Sequence, residues 1–469
     1  MGGLEISELM LSEVLEDNKS FRFDSEYFKK EYLALQKQIY NYPHEQLGAF
    51  SKVTDGEHGS VVFQENGVKY LTAENIKKGI VDISNIRYVT KEVDERNKRA
   101  SVKVGDILIS IKGTLGEVAI AEPWLLPANM NRDVAIIKNK YKNDFLDGYI
   151  VLFLMSKIGN KLSERLGSGG VQQMITLERL RTIMIPKLSN SFQNHVSSLY
   201  DISRKKLEDS KILYKKAEIL LLKELDLLDF EPTKENTSIK SFSESFGSSG
   251  RLDSEYYLPK YDEVIDKIKS YKCGFEKLNN ILLYISTGEY SENYYKERKG
   301  LSFYIRSTNI RDGLVQKDVS HFVNSSNFTR FVKEGDIVTA RVGTLGIFGT
   351  IDSFQNNSIY SDNVLCFRLP TKYNPYVYTL FLNSTYNKLL IDRLARGSVQ
   401  QRLNQETLKE LLVPIIDPSI QTQIENKIKE SFRLKEESKE LLELAKRGVE
   451  VAIEEGEEVA MKFIEKGKI

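Results

Sequence analysis

The sequence predicts an α+β protein in which two tandem, pseudo-symmetric domains with strand-rich cores are joined and separated by two long, paired helices. Three observations lead there. Five motifs are written twice in the same order. The front of each copy holds β-branched runs punctuated by glycine turns, and the back of each holds a heptad of apolar and small residues.

The duplication comes first. Arg22-Phe23-Asp24-Ser25-Glu26-Tyr27 returns 229 residues later as Arg251-Leu252-Asp253-Ser254-Glu255-Tyr256. Tyr70, Asn75, Ile76 and Gly79 return at an offset of 234 as Tyr304, Asn309, Ile310 and Gly313. Gly105-Asp106-Ile107 with Gly113-Thr114-Leu115-Gly116 returns at 230 as Gly335-Asp336-Ile337 with Gly343-Thr344-Leu345-Gly346. Leu152-Phe153-Leu154 and Val171-Gln172-Gln173 through Pro186 return at 228 as Leu380-Phe381-Leu382 and Val399-Gln400-Gln401 through Pro414. Five ordered matches whose offsets drift by only six residues are not a chance event. The period is far too long for a solenoid, so the chain is a duplicated domain pair. The offset is constant from Leu152 onward and wanders only before it. Each copy therefore has a length-fixed back and a length-variable front, and variable loops on a rigid scaffold are where recognition normally sits.

Within each front, Gly105–Ile111 and Gly335–Arg341 read as strands opened by a turn pair. The Gly-Thr-Leu-Gly that follows reads as a turn into Val118-Ala119-Ile120 or Ile347-Phe348-Gly349. Val134–Ile137 and Val364–Phe367 add a further strand. A single helix is expected over 148–166 and again over 376–394, then a Gly/Ser break, then a short helix ending near Ile185-Pro186 or Val413-Pro414.

The back of each copy is one long helix. Ser189 and Asp417 are its expected N-caps, with Pro418 suited to the first helical position. The seam reads Val196, Tyr200, Ser203, Leu207, Ser210, Tyr214, Ala217, Leu221 in the first copy. In the second it reads Ile424, Ile428, Ser431, Lys435, Ser438, Leu442, Ala445, Val449, with Lys435 as the exception. Small seam residues allow close helix approach, and the simplest assembly is an antiparallel pair. The first helix, about 190–228, would span ~58 Å at 1.5 Å per residue. The expected boundaries are 1–186 for the first domain, 187–235 for the central helix and linker, 236–414 for the second domain and 415–469 for the last helix.

Composition bounds the function. The chain has 469 residues, and its 67 Lys+Arg nearly balance 66 Asp+Glu for a net charge of +1. This excludes a polybasic tail protein but not a basic face balanced elsewhere. Only Cys273 and Cys366 are present, too few for a disulfide framework or a cysteine zinc site. The longest apolar run, Tyr149–Met155, is far below the ~20 residues of a membrane span. The start lacks a signal-peptide pattern, so a soluble, cytoplasmic protein is expected.

Motifs of catalysis are largely absent. There is no P-loop and no Asn-Pro-Pro-Tyr or Asp-Pro-Pro-Tyr of an amino-methyltransferase; Asn41-Tyr42-Pro43-His44 has the wrong order. The four histidines lack ligand spacing. Lys112 and Arg341 stand just before the Gly-Thr-Leu-Gly turns. A cation there either neutralises phosphate, reads guanine, or is an unpartnered surface charge. Gln172-Gln173 and Gln400-Gln401 follow the Gly/Ser break; glutamine bonds adenine or phosphate, or caps a helix. The Arg-x-Asp-Ser-Glu-Tyr motif reads as a structural ion pair.

Taken together, these motifs resemble the DNA-specificity subunit of type I restriction–modification systems. The likeness is sharpest in Gly169–Gln173 through Pro186, in Gly397–Gln401 through Pro414, and in Arg251–Tyr257. It implies that each front is a target recognition domain reading one half of a split double-stranded DNA sequence, with the paired helices as a ruler. It implies a non-catalytic subunit with no cofactor of its own. Two methylation subunits would carry S-adenosylmethionine, and motor-nuclease restriction subunits would carry ATP hydrolysis. Divergence of Thr54-Asp55-Gly56-Glu57-His58 from Ser286-Thr287-Gly288-Glu289-Tyr290 implies an asymmetric target. The expected DNA-contacting residues are Lys112, Arg341, Gln172, Gln173, Gln400, Gln401, Arg402, His58 and Tyr290. The competing classes are an autonomous DNA-modifying enzyme without recognisable motifs and a coiled-coil scaffold that binds no DNA.

Overall fold

The computed structural model describes residues 7–15, 18, 22–168, 173–317, 321–343, 345–394 and 402–467. The chain divides into two compact units, Met1–Glu208 with Leu434–Ile469, and Asp209–Arg433.

In the first unit, helix α1 (Lys30–Tyr40) leads into β1 (His44–Gln46) and β2 (Ser51–Asp55). Then come β3 (Val68–Leu71), the hairpin β4 (Ile76–Lys77) and β5 (Ile80–Val81), and β6 (Arg87–Val89). They are followed by β7 (Ile107–Ser110), β8 (Val118–Ile120), β9 (Ala128–Met130) and β10 (Val134–Asn139). An antiparallel sheet runs β2-β10-β7-β8, and a smaller sheet runs β6-β3-β9 with β3 and β9 parallel. Strand alternation explains the unbroken apolar runs. Ile107, Ile109, Ala135 and Ile137 point into the core shared with the helices. Leu108, Val134 and Ile136 point into a second core under the small sheet. A sheet covered on both faces needs apolar residues at every position.

The helix expected over 148–166 is two helices, α2 (Asp147–Met155) and α3 (Lys157–Leu166). Buried Ser156 breaks them: its ψ is 162°, and its Oγ accepts a hydrogen bond from Gly159 N at 3.2 Å. The local cap outcompetes helix continuation. The segment before Pro186 also differs from expectation. It is a single turn, α4 (Leu177–Leu180), and then strand β11 (Met184–Pro186), which pairs antiparallel with β1. Edge pairing decided that strand, and no local propensity reports it.

The second unit follows the same plan. Helix α5 (Asn190–Glu224) enters it, and α6 (Pro259–Lys269) precedes β12 (Phe275–Lys277), β13 (Tyr284–Thr287) and β14 (Ser302–Ile305). Then come β15 (Ile310–Arg311), β16 (Gly313–Val315), β17 (Phe322–Val323), β18 (Ile337–Ala340), β19 (Phe348–Thr350), β20 (Ile359–Tyr360) and β21 (Val364–Arg368). The main sheet runs β13-β21-β18-β19-β16-β15, and β17-β14-β20 forms the smaller one. Helices α7 (Pro375–Leu382) and α8 (Thr385–Leu394) are again separate; α9 (Gln405–Lys409) and β22 (Leu412–Pro414) close the unit, with β22 on β12. Ile337, Leu365 and Phe367 face one core, and Val338, Val364 and Cys366 the other.

The last helices are α10 (Pro418–Glu455) and α11 (Glu457–Gly467). Ser189 Oγ accepts from Phe192 N at 3.2 Å, and Asp417 Oδ1 accepts from Ser419 N at 2.8 Å, so both expected caps form. Helix α5 is shorter than expected: Asp226, at φ +53°, turns the chain just after Glu224. Each unit holds part of each long helix, and most of the expected seam is buried, with Leu207, Tyr214, Lys435 and Leu442 half-buried. In the first unit Val196, Tyr200 and Ser203 pack with Ser438, Ala445 and Val449. There Val196 lies beside Gly448 while Ser203 meets Ser438, so the two stretches run antiparallel. In the second unit Ser210 meets Ser431, and Ala217 and Leu221 share a core with Ile424 and Ile428.

Candidate nucleic-acid interface

In the first unit three loops meet at one end of the main sheet. Strand β2 ends at Asp55 and leads into Gly56, Glu57 and His58. Gly56 runs so close to the end of β9 that a Cβ there would lie 2.0 Å from Met130 O and 2.4 Å from Asn131 O. Glu57 N donates to Met130 O at 2.9 Å, and Arg132 N donates back to Glu57 O at 3.1 Å. The same turn receives the next loop: Ile111 N donates to Asp133 O at 2.9 Å, and Lys112 Nζ stands 3.7 Å from Asp133 Oδ1. The third loop joins through a bridge of Lys112 to Met174 and a bond from Ile175 N to Ile111 O at 2.9 Å. Lys112, exposed Gln173 and exposed His58 are thus brought to one end of one sheet. His58 Nε2 is hydrogen-bonded to Asp55 Oδ2 at 2.8 Å while its side chain stays 57% exposed.

The second unit repeats this geometry from different residues. A Cβ on Gly288 would lie 2.1 Å from Tyr360 O, and Glu289 N donates to that oxygen at 2.9 Å. Arg341 N donates to Asn363 O at 2.9 Å, its Nη1 donates to Asp362 O at 3.0 Å, and Leu403 N donates to Arg341 O at 3.1 Å. Arg341, exposed Arg402 and exposed Tyr290 therefore share one end of this sheet too. Gln172, Gln400 and Gln401 lie outside the described residues.

The two glutamates hold these turns. The Glu57 carboxylate accepts from Gly59 N at 3.0 Å and from Arg96 Nη2 at 3.2 Å, and the Gly59 bond with the Arg96 charge lowers its pKa. Burial pushes Glu289 up, but the Thr329 and Arg330 amides, each at 2.9 Å, outweigh it and hold the carboxyl below its usual value. Both carboxylates accept charge-assisted hydrogen bonds, the strong kind.

Sequence reading missed the arginines that touch these turns. Arg99 Nη2 donates to Gly56 O at 3.3 Å and lies 3.4 Å from Asp55 Oδ1. Arg330 Nη1 donates to Thr287 O at 2.5 Å. The two come from the same connecting segment, three residues before Val102 and two before Val332, whose amides bind β9 and the start of β20 alike. The one-residue slip hid the correspondence.

The Arg-x-Asp-Ser-Glu-Tyr motif forms its expected ion pair and also braces the third loop. Arg22 pairs bidentately with Asp24 at 2.6 Å while its Nη1 donates to Arg165 O and Gly167 O at 3.1 and 3.0 Å. The Tyr27 ring carries the guanidiniums of both Arg22 and Arg165, 4.9 and 4.2 Å from its centre. Arg251, Asp253, Tyr256 and Arg393 repeat this, at 4.4 and 4.5 Å. A cation on the carbonyls that end a helix suits its dipole.

Among the described residues no cluster of His, Cys, Asp and Glu could hold a metal, and no helix is long and apolar enough to cross a membrane. What the units offer instead is exposed loops carrying arginine, lysine and aromatic side chains on a repeated sheet framework. That is a duplicated sheet-and-loop framework. Residues 52–214 match the model of the type I restriction modification DNA specificity domain. Over 132 residues the chain is 25% identical to the type I restriction enzyme EcoBI specificity subunit of Escherichia coli; the match covers 28% of this chain and 27% of that one. Only about a quarter of that relative's length is thus spanned. Among solved structures, the S subunit of a type I restriction-modification system from M. genitalium shares 14% identity, with 90% of this chain and 96% of that one covered at a TM-score of 0.42. The HsdS subunit of Thermoanaerobacter tengcongensis shares 12% identity, with 88% and 97% covered at a TM-score of 0.28.

Proposed function

We propose that the whole chain is the sequence-specific DNA-binding subunit of a type I restriction–modification system. It reads a bipartite, asymmetric double-stranded target and directs methylation and restriction subunits to it, in the cytoplasm. The observation that carries this reading is the duplicated loop cluster, in which the Gly-Glu turn is kept while its flanks change from Asp55 and His58 to Thr287 and Tyr290. A shared frame with exchanged contact residues is what two readers of two different half-sites require. On this reading domains 1–186 and 236–414 each read one half-site, and the segments 187–235 and 415–469 fix the gap between them. Lys112, Arg341, Gln172, Gln173, Gln400, Gln401, Arg402, His58 and Tyr290 face DNA. The chain performs no methyl transfer or ATP hydrolysis of its own; two methylation subunits and the restriction subunits supply both. A net charge of +1 suits a subunit whose partners share the phosphate contacts.

The test is a genome-wide map of methylated positions in cells with and without the chain. A split motif should appear only with it. Replacing residues 20–186 by another recognition domain should change one half of that motif. A change in both halves, or methylation by the isolated chain, would defeat the reading.

A further inference from the structure

We infer that Arg99 and Arg330 are base-reading residues, one for each half-site, each aimed by a backbone carbonyl of the Gly-Glu turn. This rests on the DNA-binding reading above and adds to it the residues that set specificity.

The inference begins with how a guanidinium is used. It carries five N–H donors in a rigid plane, so one bond to a fixed acceptor also fixes the direction of the others. Arg330 spends Nη1 on Thr287 O, and among the described residues its Nε and Nη2 make no hydrogen bond. Those two groups form the edge that matches a two-acceptor partner such as guanine O6 and N7. Arg99 spends Nη2 on Gly56 O and Nε on Asn97 Oδ1 at 3.4 Å, and among the described residues its Nη1 makes no hydrogen bond, on a side chain 54% exposed.

A phosphate contact needs only a cation within reach. Anchoring a long side chain on the turn costs rotamer entropy, and a fixed direction is what reading one base edge requires. The anchor is itself closely packed. Gly56 and Gly288 are pressed on the carbonyls of β9 and β20, and in the second unit the Arg330 amide is tied to the Glu289 carboxylate at 2.9 Å. A like arrangement occurs in both units, from one connecting segment, with the anchoring carbonyl shifted by one residue: Gly56 in the first, and Thr287, just before Gly288, in the second. Duplication of a fortuitous surface contact would not survive that divergence. The two also differ in their neighbours: Asp55 stands beside Arg99, whereas in the second unit Thr287 takes its place. Arg330 in turn has the Glu289 carboxylate on its own amide, so each guanidinium has a carboxylate close by.

The test uses the full complex in cells, with Arg330→Ala, Arg330→Lys and Arg99→Lys, and methylation mapped for each. Thermal melting of each purified variant checks folding. Arg330→Lys keeps the charge but loses the planar fork. Discrimination at one base pair of one half-site should relax roughly tenfold to a hundredfold in both Arg330 variants, with the other half-site intact. Arg99→Lys should relax one position of the opposite half-site. Uniformly weaker methylation in Arg330→Ala, restored by lysine and with an unchanged motif, would make Arg330 a phosphate contact and overturn the inference. So would wild-type behaviour of Arg330→Ala. If the motif does not depend on the chain at all, the DNA-binding reading falls and this inference with it.

Discussion

Ser203 donates its hydroxyl to the carbonyl oxygen of Ser438 at 2.7 Å, inside the buried seam of the first unit. The second unit holds the reciprocal contact, Ser431 to the carbonyl of Ser210 at 2.8 Å. Each pair is seven residues from the other along both helices, in opposite senses. A hydroxyl is small enough for the backbones to approach and finds an acceptor there, so each serine fixes a register that an all-leucine seam leaves open.

The seam should therefore accept alanine and reject leucine. Ser203→Ala loses one hydrogen bond and should cost about 1 kcal/mol. Ser203→Leu must push the helices apart and should cost about 1–3 kcal/mol. Urea denaturation of both variants checks this, and equal stability of the two would refute the close-packed layer.

Helix length is the next prediction, on the proposed DNA-binding reading. Inserting seven residues in both helices between the two serine layers keeps every seam residue in phase and adds ~10.5 Å. At ~3.4 Å per base pair the unread gap should lengthen by about three base pairs with both half-sites unchanged. An unchanged gap in the remapped motif would show that the helices do not set the spacing.

Gly288→Ala should be severe and local. The new methyl would lie 2.1 Å from a backbone oxygen that cannot rotate away. The expected loss is roughly 2–3 kcal/mol, at the upper end of overpacking, with the β13 turn displaced. Methylation mapping should show one half-site degraded. Intact recognition of both halves would mean the turn takes no part in reading.

Acid should loosen the second unit's turn at Glu289. Its folded carboxyl titrates below its usual value, so the tie to Thr329 and Arg330 is complete above the ordinary pKa of ~4.3. It is lost as pH falls through the depressed value. Amide resonances of Thr329 and Arg330 followed against pH should shift in that window, and Glu289→Gln should remove the transition. A pH-independent spectrum in both proteins would contradict the assignment.

Arg22→Ala should free the loop that follows α3. It removes two bonds to helix-end carbonyls and the ion pair to Asp24, and should cost about 1.5–3 kcal/mol. Protease sensitivity near Gly167 should rise, and Arg251→Ala should act alike near Arg393. No change in cleavage at either site would leave the motif a surface ion pair only.

The sequence by itself determined the duplication, the strand-rich fronts, the antiparallel seam and both helix caps. These are local or periodic signals: a repeat, a heptad and a capping serine or aspartate are each written in neighbouring residues. It also placed Lys112, Arg341 and Gln173 beside short repeated motifs, in loops that the structure brings to one end of a main sheet. Only the tertiary structure decided that helix 148–166 breaks at Ser156, because a buried side-chain cap competes with an otherwise continuous apolar pattern. Only it paired Met184–Pro186 with His44–Gln46, a contact across the chain with no local signature. And only it set Arg99 on Gly56 and Arg330 on Thr287, since a bond from a guanidinium to a distant carbonyl depends on where two loops meet, and no spacing in the sequence records that.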